Sequence, residues 1–352
     1  MFVPNDQHFQ IAMFGSINSL PGKLQERLEE SWAGNFYREY FVRMDEKPFA
    51  VLYSDEPSRP NIPVNVLVGL ETLKSGFGWS DAEMYDHFCY DVQARYALGY
   101  RDLSEGHFEL RTMYNFRKRV TKHMQETGEN LFEQTFEQIA DEQVAAFELK
   151  TDKLRMDSTM IASNIRETTR VQLLVEVLQR VHRMLNETDR QRYAKEFEPY
   201  LKGSSGQYIY HLKGEDIAAH LQGIGELMHR LVGELSPRYR DESTYRVLRR
   251  VFQEHFSVDE SMLRPKEGQE LSASSMQSPD DWEATYRQKR GEKHRGYVSN
   301  VTETCNPEND LQLIVKVQTE PNNTDDAAML DEALPGLKER TDVEQMHTDG
   351  GY

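Results

Sequence analysis

The sequence has no run of eighteen or more apolar residues, which is about the length that a membrane-spanning helix needs. Its opening segment, MFVPNDQHFQ, has neither a basic region nor an apolar stretch, so it differs from a secretory signal. We therefore expect a cytoplasmic protein that makes no contact with membranes.

Cysteine is scarce, because Cys89 and Cys305 are the only two in the chain and lie far apart. His87 lies two positions before Cys89, but no second pair at metal-ligand spacing accompanies them. This pattern argues against a disulfide framework and against a zinc ribbon. We expect these three residues to lie in the core.

Basic residues are outnumbered, with 42 Lys and Arg against 59 Asp and Glu and a formal net charge of −17. This balance argues against a general nucleic-acid coat, so any contact with DNA must be local. The length of 352 residues suits about two domains, and a hydrophobic content of 38% can supply their cores.

Residues 16–150 form the first predicted domain, which is helical because its apolar residues recur at helical spacing. One helix is expected to begin near Pro63 and to end at Gly76, where glycine permits a left-handed C-terminal residue. Its apolar stripe consists of Val66, Leu67, Leu70 and Leu73. Ser80 and Glu83 then have the spacing of a capping box, which predicts the start of the next helix.

A third helix is predicted over about 109–124, with an apolar face and a basic face. The expected inward residues are Met113, Phe116, Val120 and Met124. The basic face carries Arg111, Arg117, Lys118, Arg119 and Lys122, without an acidic residue among them. Such a cluster suits contacts with DNA phosphates, although a solvated face with ion pairs to nearby glutamates is equally compatible with it. Following two short helices, it favours an all-α, helix-turn-helix-like DNA-binding domain.

From about residue 151 the apolar pattern changes to a period of two, which predicts strands. Leu154 and Met156 alternate with Arg155 and Asp157 in the first strand. A polar helical insertion is expected over about 164–290, with an early apolar stripe of Leu174, Val177, Leu178 and Val181. Two strands follow, one starting at Gly296 and one at Leu311, and the turn residues between them favour an antiparallel hairpin. In the second, apolar residues from Leu311 to Val317 alternate with polar residues that include Gln318, which we expect to face outward.

A helix is expected after the hairpin, followed by a short strand over 343–349. The N-terminal cap of this helix is Asn323 or Thr324, and Pro335 should kink or split the helix. Its expected inward residues are Ala327, Leu330, Leu334 and Leu337. A helical crossover of this kind returns the last strand parallel to the first. The fold class is therefore α+β with a mixed sheet.

This strand order brings Asp157 and Asp349 close together, although 192 positions separate them in the sequence. Paired carboxylates are ligands for Mg²⁺ or Mn²⁺, and two such ions can promote phosphodiester attack. Each residue also has a purely structural interpretation, because Asp-Gly is a common turn and Asp-Ser-Thr can end a strand.

A second basic window lies directly before the strand that starts at Gly296. Its cations are Arg287, Lys289, Arg290, Lys293 and Arg295. They could hold the phosphate backbone of a DNA end, and Tyr286 or Tyr297 could stack on a base, although packing of Tyr297 is the favoured interpretation. A third basic cluster lies over 238–250, and we expect it to be a solvated helix face. Its cations are Arg238, Arg240, Arg246, Arg249 and Arg250.

The chain resembles an insertion-sequence transposase of the DDE class with an InsH-type N-terminal domain. The resemblance lies in the whole segment from Tyr53 to Val120 and in LRMDSTMIASN, WEATYRQKRGEKHRGYVSNVTETC and MHTDGGY. It implies an RNase H-like catalytic fold, dependence on Mg²⁺ or Mn²⁺, and cut-and-paste chemistry on terminal inverted repeats. It also implies a homo-oligomer on paired DNA ends, at the nucleoid. Asp157 and Asp349 correspond to the first two catalytic, metal-binding acids.

The third acid of that family is a glutamate on a helix well beyond the second aspartate, and no residue here follows Tyr352. We therefore expect a truncated, inactive product with an incomplete RNase H-like sheet. Nothing in the motif shows that Glu303, on the second strand, replaces the missing acid. The alternatives are a DNA-binding remnant that regulates an intact transposase and, less favoured, a helical interaction scaffold.

Overall fold

The computed structural model describes residues 1–6, 8, 15–54, 56, 60–165, 168–210, 212–259, 262–289 and 291–349. It combines helices with a mixed sheet, which confirms the α+β class. No described helix is both long enough and apolar enough to cross a membrane. The chain divides into two compact units. The first contains Met1–Arg155, Thr302–Val317 and Gly336–His347, and the second contains Met156–Val301, Gln318–Pro335 and the residues from Thr348.

The helices account for most of the regular structure. The first seven are α1 (Gly22–Glu29), α2 (Trp32–Phe36), α3 (Val64–Phe77), α4 (Asp81–Tyr90), α5 (Val92–Ala97), α6 (Arg111–Thr127) and α7 (Leu131–Ala146). The others are α8 (Arg170–Met184), α9 (Glu187–Arg192), α10 (Ala194–Phe197), α11 (Ser205–Tyr210), α12 (Ile217–Tyr239), α13 (Ser243–His255) and α14 (Asp326–Arg340).

The strands form one five-stranded sheet and one small hairpin. They are β1 (Lys153–Ala162), β2 (Phe256–Asp259), β3 (Met262–Pro265), β4 (Thr285–Lys289), β5 (Glu292–Thr304), β6 (Ile314–Pro321) and β7 (Gln345–His347). The main sheet has the order β4-β5-β1-β7, and β6 also pairs with β5. β2 and β3 pair separately. Neither β4 nor the β2–β3 hairpin was predicted from the sequence.

The first and last strands of the main sheet are parallel, as the helical crossover predicts. Lys153 is opposite Gln345, and Arg155 is opposite His347. β5 and β6 form the predicted antiparallel hairpin, because the Thr304 amide bonds to the Leu313 carbonyl while the Asn322 amide bonds to the Gly296 carbonyl. β7 thus lies beside β1, on the side opposite β5.

The turn between α3 and α4 corrects one predicted boundary. α3 continues past Gly76 and ends at Gly78, which has the left-handed φ of 70° that glycine tolerates. The capping box of Ser80 and Glu83 is confirmed, with each side chain bonded to the other residue's backbone amide. Gly76, the predicted stop, is inside the last turn of α3.

On α6, three of the four predicted inward residues are buried, but Met124 was placed wrongly. Its side chain is 47% exposed. Met124 lies near the end of the helix and lines an open cleft of about 910 Å³ with Phe132 and Phe136. Its side chain is thus only partly covered, and apolar spacing alone overestimates the length of the buried stripe.

The segment from Leu311 was predicted to alternate, and the structure corrects this in two places. Leu311 is exposed, because it lies in the turn before β6 begins at Ile314. Gln318, expected to face outward, is buried, and its side-chain amide donates to the Met329 carbonyl at 3.0 Å. Burial of a polar group is tolerated when it gains such a partner.

The buried face of α14 also differs from the predicted one. Its buried residues are Asp326, Met329, Ala333 and Leu337. The predicted Ala327, Leu330 and Leu334 are only half-buried, so of the expected set Leu337 alone is fully covered. Pro335 lies inside the helix without splitting it.

The second unit has its own core, built mainly from the helical insertion. The early stripe of Leu174, Val177, Leu178 and Val181 is confirmed, since all four are fully buried. Val247 and Val251 of α13 belong to the same cluster. The first unit has a separate core around α3, α4 and α6, which includes Leu67, Phe88 and Phe116.

Candidate functional site

Asp157 lies on the exposed face of β1. Leu154 and Met156 are buried, while Arg155 and Asp157 between and after them are exposed, as the period-two pattern predicts. The strand therefore presents the Asp157 carboxylate to solvent while its apolar neighbours anchor the backbone.

Asp349 follows β7 and occupies the position that corresponds to Asp157. The parallel ladder ends with the pair Arg155 and His347, and each aspartate lies two positions beyond its own member of that pair. Partners in a parallel ladder point to the same face, and residues two apart on a strand do so as well. An extension of this register would place both carboxylates side by side.

The carboxylate of Glu303 on β5 accepts a hydrogen bond from the guanidinium of Arg155 on β1. Arg155 precedes Asp157 by two positions and is likewise exposed. The sequence motif provides no support for Glu303 as a third acid and predicts no function for Arg155. In the structure Glu303 therefore has a cation as its partner.

The exposed carboxylates of Asp157 and Asp349 provide the oxygen ligands that Mg²⁺ and Mn²⁺ prefer. These ions favour carboxylate oxygens and retain several water ligands, so one or two carboxylates together with substrate phosphates can hold them. Among the residues that the structure describes, however, no group of three or more His, Cys, Asp or Glu is arranged to hold a metal ion. Any ion at Asp157 and Asp349 would therefore need oxygens from water or substrate.

Asp281 fastens the end of β1 to β5 in the second unit. Its carboxylate accepts hydrogen bonds from the hydroxyls of Ser163 and Tyr297 and from the Ala284 amide. Burial opposes its ionisation, but these hydrogen bonds outweigh burial and lower the pKa of Asp281. Tyr297 is thus bonded within the protein, which supports the packing interpretation over base stacking.

Arg117 was predicted to contact DNA, but its guanidinium is engaged within the N-terminal helices. It donates to both oxygens of Asp81, at 2.7 and 2.9 Å, and to both oxygens of Glu71, at 2.6 and 3.2 Å. These ion pairs raise the pKa of Arg117. The same bonds, together with one from Lys74, lower the pKa of Asp81 far below its ordinary value. Arg117 therefore joins α3, α4 and α6 and has little capacity for phosphate.

The other four predicted DNA contacts of α6 are exposed. They are Arg111, Lys118, Arg119 and Lys122. The Arg119 guanidinium lies over the Tyr53 ring at 5.3 Å, and the Lys122 ammonium is 3.6 Å from the Glu126 carboxylate. Arg111, Lys118 and Lys122 have the spacing of one helix face. This surface could accept phosphates, whereas Arg117 belongs to the packing beneath it.

The second basic window forms the hairpin of β4 and β5, which we call the basic ribbon (residues 285–296). Lys289 and Lys293 are exposed, whereas Arg287 and Arg295 are half-buried. Arg287 donates to the Asn322 carbonyl at 3.1 Å. Arg290 lies outside the described residues.

The remaining sequence candidates are His87, the two cysteines and the third basic cluster. His87 was expected in the core, but 38% of its side chain is exposed, because the ring stacks on Trp79 at the surface and bonds to Asp91 at 2.9 Å. Cys89 and Cys305 were also expected in the core, but both thiols are only half-buried. In the third basic cluster, Arg238 pairs with Asp189 and Arg250 pairs with Glu254.

No family model matches the chain, and no curated protein or solved structure gives a significant match.

Proposed function

We propose that this protein is a transposase of the DDE class, which binds the ends of an insertion element and performs metal-dependent cleavage and strand transfer on DNA. The single observation that carries the proposal is the parallel ladder of β1 and β7, with Asp157 and Asp349 at corresponding positions beyond it. The order β6-β5-β1-β7, with α14 before β7, is also compatible with an RNase H-like sheet.

In this proposal Asp157 and Asp349 would hold Mg²⁺ or Mn²⁺. When bound, the ion would lower the pKa of an attacking water or 3′-hydroxyl and neutralise charge on the phosphodiester. The exposure of Asp157 on an open strand face leaves room for a phosphate to approach.

DNA is the proposed partner, through the exposed cations of α6 and the basic ribbon. Because the whole chain is strongly acidic, contacts would be confined to these two basic segments. The proposal also includes a homo-oligomer that holds paired inverted repeats at the nucleoid.

A second function, DNA binding without cleavage, is favoured by one specific observation. Among the described residues, no group of three or more His, Cys, Asp or Glu is arranged to hold a metal ion, whereas the DNA-binding function requires no metal. A regulator that occupies element ends in competition with an intact transposase would need the basic surfaces alone.

Cleavage and binding assays on the purified full chain separate these functions. The probe is duplex DNA that adjoins the coding region on either side, incubated with Mg²⁺ or Mn²⁺. The transposase proposal predicts metal-dependent nicks that Asp157→Asn and Asp349→Asn abolish without loss of DNA binding. Binding without nicks would support the regulator, and nicks that survive Asp157→Asn would refute the metal assignment.

A further inference from the structure

The basic ribbon carries an exposed tip with cations on both of its faces. β4 and β5 pair antiparallel from Thr285 and Gly296 to Lys289 and Glu292. Gly291, with a left-handed φ of 87°, lies in the turn. The described tip residues are all exposed, namely Gln288, Lys289, Gly291, Glu292 and Lys293.

Lys289 and Lys293 point to opposite faces of this ribbon. Residues directly opposite each other in an antiparallel pair share a face, and successive residues alternate. Lys293 is opposite Gln288, so it lies on the face that Lys289 does not share. Within the described residues, neither lysine has an ion-pair partner.

A hairpin that packs flat on its own protein has one apolar face, whereas none of the described residues at the tip of this ribbon has an apolar side chain. The base of the ribbon is held by hydrogen bonds to Asn322. Arg287 donates to the Asn322 carbonyl at 3.1 Å, and the Thr285 hydroxyl bonds to the Asn322 side chain at 2.8 Å. The ribbon is therefore anchored at Thr285 and Arg287 and presents Lys289 and Lys293 beyond that anchor.

We infer that the tip of the basic ribbon enters the major groove of duplex DNA, with Lys289 facing the phosphates of one strand and Lys293 those of the other. The major groove is about 12 Å wide and admits a two-stranded β-ribbon. A duplex offers phosphates on both walls of the groove, which matches cations on both faces of the ribbon. This inference rests on the proposed function, because it specifies how the same DNA is held.

The test measures the salt dependence of duplex binding by the full chain. Each phosphate contact contributes about 0.9 to the slope of log K against log salt concentration. We expect Lys289→Ala and Lys293→Ala each to lower the slope by about 0.9, and the double variant to lower it by about twice that amount. Lys202→Ala, an exposed lysine outside the ribbon, is the matched control and should leave the slope unchanged.

The position in the major groove is tested with a second probe, a duplex whose cytosines carry glucosylated hydroxymethyl groups that fill that groove. On this probe the two ribbon variants should have the same slope as the unsubstituted protein. Slopes that still fall by the full amount on the glucosylated probe would overturn the major-groove inference. On the unmodified duplex, a double variant with the same slope as either single variant would also overturn it.

These results are distinguishable from failure of the proposed function. If the unsubstituted chain binds no duplex even at low salt, DNA binding itself is refuted. If it binds with a steep slope that neither lysine changes, DNA binding stands and only the role of the ribbon is wrong.

Discussion

Asp157 on β1 and Asp349, which follows β7, lie at corresponding positions, each two residues beyond the last pair of the parallel ladder. The numerical offset between them is the offset that relates every pair of that ladder. A helical crossover, α14, precedes β7 and lets this strand run parallel to β1. The relationship connects a strand near the middle of the chain with a residue near its end.

Arg117→Ala should destabilise the first unit. The guanidinium joins Glu71 and Asp81, and its removal leaves two half-buried carboxylates close together without their shared cation. We expect a loss of about 1–3 kcal/mol in the free energy of unfolding, between the values for surface and buried pairs. Urea denaturation at pH 7 measures it, with Lys47→Ala as an exposed control. A loss no larger than that of the control would contradict the structural role of Arg117.

Lys118→Ala should weaken DNA binding without changing stability. Lys118 is exposed on α6, so its removal should leave the free energy of unfolding unchanged and weaken DNA binding. If Lys118 contacts one phosphate, the salt slope should fall by about 0.9. Fluorescence anisotropy with a duplex probe measures this slope. An unchanged slope would favour the solvated-face interpretation of α6.

Gly296→Ala should destabilise the second unit. A Cβ at this position would lie 2.3 Å from the Ile161 carbonyl oxygen and 2.4 Å from the Ser163 amide nitrogen, and the φ of 140° is one that L-residues rarely adopt. We expect a loss of about 2 kcal/mol or more, from strain of the backbone and separation of β1 from β5.

Gly223→Ala is the matched control for that change. It lies inside α12, where an added Cβ meets no atom within 4 Å, so alanine should stabilise the helix by about 0.5–1 kcal/mol. Thermal unfolding of both variants tests the pair of predictions. A Gly296→Ala variant as stable as the unsubstituted protein would show that β1 and β5 are not so closely spaced.

His255 should make the stability of the second unit depend on pH. Burial, with the charges of Arg170 and Lys266, lowers the pKa of His255 to about 4 from its ordinary 6.5. Because the unfolded state binds the proton more readily, stability is greatest above pH 6.5 and falls as the pH drops towards 4, by up to about 3 kcal/mol. Urea denaturation of the chain at pH 7, 5.5 and 4 measures this decline.

The variant His255→Leu isolates that contribution. Without the imidazole, the decline between pH 7 and pH 4 should be smaller than in the unsubstituted protein, whatever the change in absolute stability. Equal declines in both proteins would show that His255 titrates normally and is not buried in its neutral form.

Sequence patterns predicted the parts of this fold that depend on local periodicity and capping. The exposed position of Asp157 and the start of α4 at Ser80 follow from alternation and from side-chain bonding to nearby backbone. The pairing of β1 with β7 followed from the order of elements, because few topologies return a strand parallel through a helix.

The errors arose where distant residues decide the outcome. Arg117 looks like any other cation of α6, and only the folded chain reveals that Glu71 and Asp81 surround it. Gln318 is buried because the Met329 carbonyl lies within reach, which no local pattern reports. β4 was missed because its residues are polar on both faces, so they lack the alternation by which strands are recognised.

The central claim is that Asp157 and Asp349 together hold a divalent cation, and titration with Mn²⁺ followed by electron paramagnetic resonance tests it most directly. We predict that the unsubstituted chain binds Mn²⁺ and that Mg²⁺ competes for the site. Asp157→Asn and Asp349→Asn should each weaken binding at least about tenfold, equivalent to about 1.4 kcal/mol. Glu344→Gln, which removes an exposed carboxylate just before β7, should not weaken it. Equal Mn²⁺ affinity in all four proteins would contradict the account.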